Sequence, residues 1–270
     1  MTDIPAPEKQ HCPLTRVKTT LGNIAAKITP DAAQRQWISR HWHILDGSCI
    51  KLLAIILMTV DHTAGLLFWH NPSFHTPLLT LGSHPITAYA LMRLLGRLAF
   101  PIFAFLLVEG YRHTHNRVKY GRNLFLFALI SEIPWNIAHS GTLLYPVQNV
   151  FFTLFLGYLG ICALEHFKKR PTRMAVSLIS LLVVSILLRA DYGCIGYGFI
   201  LALYALRNNT VLQAVVGCCI LPSRWIAGLA FIPLSMYNGK RGFVKGLFAK
   251  YFFYVYYPLH LLVIYLIRTL

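Results

Sequence analysis

Lys51 and His62 bracket the aliphatic run KLLAIILMTVDH, and their types and spacing suit chemistry. On a helix advancing 100° per residue, eleven steps complete about three turns, so both side chains share nearly one face about 16 Å apart along the axis. The two can therefore line one path. An imidazole with an ordinary pKa near 6.5 is suited to general-base work at one end of it. Asp61, the residue before His62, points about 100° away. It is poorly placed as the acid of a triad on its own helix and is expected to pair with Arg93 or Arg97.

Other ionisable groups share the apolar stretches. Of nine acids, Asp61, Glu109, Glu132, Glu165 and Asp191 fall within or at the ends of hydrophobic segments, as do Arg93, Arg97, Arg189 and His260. Each charge buried in hydrocarbon costs about 2.5 to 3.5 kcal/mol, so each needs a partner or a water-filled cavity. Glu165, at a helix end, is expected to be solvated. Arg93 and Arg97 either serve the site or pair with Asp61 and Glu132 to hold helices together. His260, in YYPLH, is read equally as a packing residue and as part of a cavity. The aromatic run YFFYVYYP reads as packing and interfacial anchoring. The six Cys have no C-x-x-C spacing and read as packing residues; no metal site is expected. Walker, G-x-G-x-x-G, H-E-x-x-H and G-x-S-x-G patterns are all missing.

The elements that position these groups follow from composition. A chain that is 56% hydrophobic and 13% charged is no ordinary soluble domain, and its mean hydropathy of +0.55 agrees. An all-α polytopic bundle is expected. The net charge of +16 lies mostly in short loops and in the N-terminal segment, where it obeys the positive-inside rule; no nucleic-acid partner is expected. Residues 1–45 read as a cytoplasmic basic tail, partly disordered, with a short surface helix around 31–44. Residues 46–270 read as one transmembrane domain. Spans are expected over 48–69, 86–111, 120–138, 148–166, 173–189, 193–206 and 250–269. Basic loops after the second and fourth spans alternate with uncharged ones. Residues 208–237, broken by Pro222, form either one kinked helix or two short ones, and charge bias favours two. The count is about nine, with eight to ten the range. This topology puts Lys51 and Glu109 at the cytoplasmic end, and His62, Arg93, Arg97, Glu132, Asn149 and Asp191 toward the outside.

The strings IKLLAIILMTVDH, LMRLLGRLAFPIFAFLLVEGYRHT, FALISEIPWN, NVFFTLFLGYLG, DYGCIGYGF, YNGKRG and YPLHL together resemble, in this order, the TraX family of integral membrane proteins. The likeness covers about 46–270. It implies a multi-pass protein of the bacterial inner (cytoplasmic) membrane and an acetylase, since founding members N-acetylate the processed pilin of conjugative plasmids. It also implies kinship with membrane acyltransferases whose first helix carries a basic residue, ten intervening positions and a His, which Lys51 and His62 match.

The expected reaction passes an acetyl group from cytoplasmic acetyl-CoA, the acyl-CoA donor, to a secreted or membrane acceptor such as pilin or a glycan. Lys51, with Arg93 and Glu109, is expected at the donor. His62 is the expected base, with Asp61 shaping its field, Arg97 stabilising the oxyanion and Glu132 assisting. Asn149, Asp191 and His260 are expected at the acceptor. Two other classes fit buried charges, a proton-coupled transporter and a non-catalytic pilus or envelope assembly factor, although no internal repeat favours the transporter.

Overall fold

The computed structural model describes residues 42–82, 84–221, 225–244 and 246–270. It divides into Met1–Ile44, of which only 42–44 are described and carry no helix, and Leu45–Leu270. The expected tail and most of its surface helix lie outside the described residues, as do Pro222, Ser223 and Arg224.

The second unit is mostly helical. Helix α1, Gly47–Thr63, starts where the Asp46 carboxylate accepts from the amides of Ser48 and Cys49 at 2.8 and 2.9 Å. It runs on through a π-helical turn, Ala64–Phe68. The continuous apolar helix is 22 residues long, about 33 Å and enough for a bilayer core. After it comes a departure from the all-α expectation. The stretch 70–85 between the first two expected spans, with the first residues of the second, contains a 3-10 turn and an antiparallel hairpin of β1, Pro77–Leu81, and β2, His84–Thr87. Pairing of Leu81 with His84 leaves a two-residue connection in which Gly82 takes φ +62°.

The second span is two helices, α2, Ala88–Gly96, and α3, Ala99–His113, with Arg97 and Leu98 at the break. Gly96 permits this packing, because a Cβ there would stand 2.2 Å from Asp61 Oδ1 on α1. Then follow α4, Arg117–Ser140, α5, Val150–His166, α6, Pro171–Leu187, and α7, Gly193–Ala205. Along α6, Val176, Ile179, Val183 and Ile186 form an exposed apolar stripe at helical spacing, which suits lipid.

Residues 208–237 resolve into short pieces, α8, Thr210–Ile220, α9, Trp225–Leu229, and α10, Phe231–Ser235. Packing of α8 against α9 and α10 makes a hairpin of two short legs in place of one long helix. The last helix, α11, Gly246–Thr269, packs against α4 and α1. Ile50, Ile102, Ile161, Phe199, Leu203 and Leu261 are fully buried in the shared core. By length and composition α1 with its π-turn, the α2–α3 stretch and Tyr251–Thr269 are long and apolar enough to cross a membrane, and several others are shorter apolar helices.

Candidate active site

The N-terminus of α1 is strapped by the YNGKRG segment. The Ser48 hydroxyl donates to the Arg241 carbonyl at 3.0 Å and accepts the Val244 amide at 2.9 Å, while the Gly47 amide donates to the Lys240 carbonyl at 2.8 Å. Gly242, at φ +86°, lies against Asp46, where a Cβ would meet the carboxylate at 2.3 Å. The strap fixes Arg241 near Lys51, one turn into α1, whose ammonium lies 5.6 Å from the Phe253 ring centre on α11.

A cavity of about 620 Å³ opens here. Lys51, Lys119 and Arg241 make its mouth cationic. Glu109 also lines it, but its carboxylate is occupied by Arg112 at 2.6 Å and His113 at 3.2 Å. From Lys51 to Met58, both in the wall, α1 rises about 10 Å. The lining becomes apolar with Leu154, Phe151 and Val150, and includes Tyr257 of α11. A polar mouth leading to an apolar interior fits an acyl-CoA: cations for the phosphates, then a slot for the pantetheine and acyl group. His62 is not in the lining. Its ring packs edge-on to Tyr257 with centroids 6.0 Å apart, so the path expected from Lys51 to His62 ends one ring short of the imidazole.

His62 belongs to a chain of hydrogen bonds. Its Nδ1 lies 2.7 Å from His260 Nε2, and His260 Nδ1 lies 2.9 Å from the Tyr256 carbonyl oxygen. A carbonyl only accepts, so His260 Nδ1 carries a proton and, in the neutral ring, Nε2 offers a lone pair. His62 Nδ1 must then donate, which leaves His62 Nε2 unprotonated. The rings stack at 5.0 Å and 9° between planes, and Trp135 abuts His62 edge-on at 6.2 Å. His260 is thus the partner that Asp61 is not. Asp61 turns to Arg93, with Nη1 to Oδ1 at 2.8 Å.

The remaining expected residues separate. Arg93, expected at the donor, is bound to Asp61 and does not line the cavity; its place on α2 puts it at the His62 end of α1. Arg97, expected at the oxyanion, is exposed at the α2–α3 break, forms no ion pair among the described residues and does not line the cavity either. Glu132 Oε2 accepts from the backbone and side-chain amides of Asn149 at 3.3 and 2.6 Å. Asn149, expected to orient the acceptor, caps α5: its oxygen takes the Phe151 amide at 3.0 Å, and its amide also reaches the Ala128 carbonyl at 2.8 Å. Every polar group of that side chain is spent inside the protein. Asp191 lies in the turn between α6 and α7, its backbone carbonyl held by the Thr153 hydroxyl and its amide by the Gln148 carbonyl. Burial raises its carboxyl to about 6, against the Tyr192 amide and the charges of Arg97 and Arg93. Glu165 accepts from the Tyr204 hydroxyl at 2.6 Å and is not merely solvated.

Tyr257 and Arg241 were not singled out by sequence. Tyr257 precedes His260 by three positions and so shares its helix face, but the run YFFYVYYP hides the ring that lines the cavity among packing ones. Among the described residues no cluster of His, Cys, Asp and Glu is arranged to hold a metal.

The family model described as TraX protein matches residues 46–268. The chain belongs to the TraX family. A relative within reach of this TraX chain, at 32% identity over 78% of the chain and 91% of the relative, is the "Probable fimbrial assembly protein FimC, serogroup H1" of Dichelobacter nodosus. No solved structure matches the chain.

Proposed function

We propose that this TraX-family protein is a multi-pass acetyltransferase of the bacterial inner membrane. It would move an acetyl group from cytoplasmic acetyl-CoA to an acceptor at the outer face, with the N-terminal amine of a pilin subunit as first choice and a glycan as second. The observation that carries the reading is the cavity that leads from the cationic mouth at Lys51 to Tyr257, beside a histidine whose Nε2 is left bare by its partner. The name of the Dichelobacter nodosus relative supports a fimbrial subunit as the acceptor.

In this reading the acceptor N–H or O–H gives its proton to His62 Nε2 while its lone pair attacks the thioester carbonyl carbon. The tetrahedral intermediate then expels the CoA sulfur, which takes that proton from the imidazolium and leaves as the free thiol. Lys51, Lys119 and Arg241 hold phosphates; His260 holds the imidazole in its base form. The test is purified protein with radiolabelled acetyl-CoA and a peptide carrying a pilin N-terminus. Transfer is expected from the wild type and to fall at least about 10²-fold in His62→Ala, which keeps its elution volume in detergent. A well-folded His62→Ala that still transfers label would refute the role of the histidine.

The same relative's name favours a second reading, a non-catalytic assembly factor. It is separated by returning the wild type and His62→Ala to cells lacking the protein: with a scaffold the pilin amine is free and filaments form in both, whereas with an enzyme the amine is acetylated by the wild type and free in the variant.

A further inference from the structure

Tyr257 is 3% exposed, and its hydroxyl has no hydrogen-bond partner although it belongs to the wall of the cavity. A buried hydroxyl without a partner is costly, and a phenylalanine would fill the same space without that cost. Val150, at the start of α5, lines the same cavity, and its amide faces the Tyr257 hydroxyl oxygen. Val150 is the first residue of a seventeen-residue helix, so its amide has no intrahelical carbonyl to meet and stands at the positive end of the helix dipole. The position of that helix end is fixed, because Asn149 caps it and Glu132 and the Ala128 carbonyl anchor Asn149. The tyrosine ring itself packs edge-on against His62.

Two donors thus converge where the cavity meets the histidine. We propose that the Tyr257 hydroxyl and the Val150 amide form an oxyanion hole for the thioester carbonyl of the acyl donor, an inference that rests on the acyl-transfer reading. The carbonyl oxygen of the bound acetyl group accepts from both groups, and the negative charge it gains as the acceptor attacks is held by them until the C–S bond breaks. The carbonyl carbon then lies between the donor cavity and the His62 imidazole, so the acceptor enters from the histidine side and the thiol departs through the cavity.

Each donor is removed by a substitution that spares the surrounding structure. Tyr257→Phe deletes one oxygen. Val150→Pro deletes one amide hydrogen at the first helical position, where proline is tolerated, and residue 149 already has the extended φ of −65° and ψ of 162° that a following proline requires. The measurement is His62-dependent release of CoA thiol from acetyl-CoA, with kcat and KM determined separately and CoA affinity measured by calorimetry. Each variant is expected to lose about 10²- to 10³-fold in kcat. CoA affinity should stay near the wild-type value and the thermal midpoint should not fall, rising in Tyr257→Phe as the unpartnered hydroxyl is removed, which a purely structural role would not allow. If one variant misfolds, the other decides. Variants whose kcat stays within about threefold of wild type overturn the oxyanion hole while the transferase reading survives. A wild type that releases no thiol in a His62-dependent way overturns the reading itself and this inference with it.

Discussion

His260 decides which nitrogen of His62 is available, because its own Nδ1 is committed to the Tyr256 carbonyl at 2.9 Å. His260→Ala leaves His62 free to change tautomer and to swing. It is expected to lower kcat by about 10- to 100-fold with little change in the KM for acetyl-CoA, since partners that orient a functional histidine are worth about that much. His260→Gln offers an amide oxygen to His62 Nδ1 and should recover part of the loss; equal rates in all three proteins would rule out the orienting role. Asp191 makes a separate residue-scale prediction. Its carboxyl, normally near 3.8, is raised to about 6 by burial. Below about pH 4 it is protonated in folded and unfolded chains alike and carries no penalty. Above pH 6 the folded protein must hold a buried charge that the unfolded chain solvates, so its contribution to stability falls as pH rises between those values. Asp191→Asn should therefore raise the thermal midpoint in detergent at pH 8, by up to about 3 kcal/mol of stability, and leave it unchanged at pH 4. A gain that is the same at both pH values would assign the effect to packing.

At the scale of elements, what could be read from the sequence depended on whether the signal was local. The Lys51 and His62 spacing, the turn of Asp61 toward Arg93 and the break within 208–237 all follow from helix geometry and proline placement. The hairpin at 77–87 was missed because PLLTLGSHPIT carries too few alternating residues to separate a strand from an apolar loop. The His260 contact joins residues 198 positions apart, which no local period reveals. The YNGKRG segment lies between these cases: its glycines and charges are visible, but its task as a strap over the start of α1 depends on Asp46 and Ser48. Gly242 tests that task. An alanine there would adopt an unfavourable φ of +86° and drive its Cβ into the Asp46 carboxylate, so Gly242→Ala should cost roughly 1 to 3 kcal/mol. Because Arg241 is held by the same strap, the KM for acetyl-CoA should rise as well. A variant with a wild-type thermal midpoint and KM would remove the strap from the account.

At the scale of the whole molecule, the site is divided between the two ends of α1. Lys51, Lys119 and Arg241 gather at the mouth of the cavity, whereas His62 lies three turns further along the helix, beyond Tyr257. The loop that follows α1, from 70 to 87, contains no Lys or Arg, while Arg112 to Arg122 and Lys168 to Arg173 supply dense positive charge elsewhere. In the proposed topology, which follows the positive-inside rule, the cationic mouth would face the cytoplasm and the β1–β2 hairpin would face away from it. Donor and acceptor should then be accepted from opposite sides. In proteoliposomes sorted by orientation, acetyl-CoA supplied on the Lys51 face should sustain transfer to a pilin peptide on the hairpin face, and the reversed arrangement should give none. Lys51→Ala together with Arg241→Ala should raise the KM for acetyl-CoA about tenfold or more with kcat nearly retained, because those charges bind a part of the donor that does not react. Equal transfer with both substrates on one face would mean that the cavity carries no donor across the membrane, and the cationic mouth would then be topogenic charge alone.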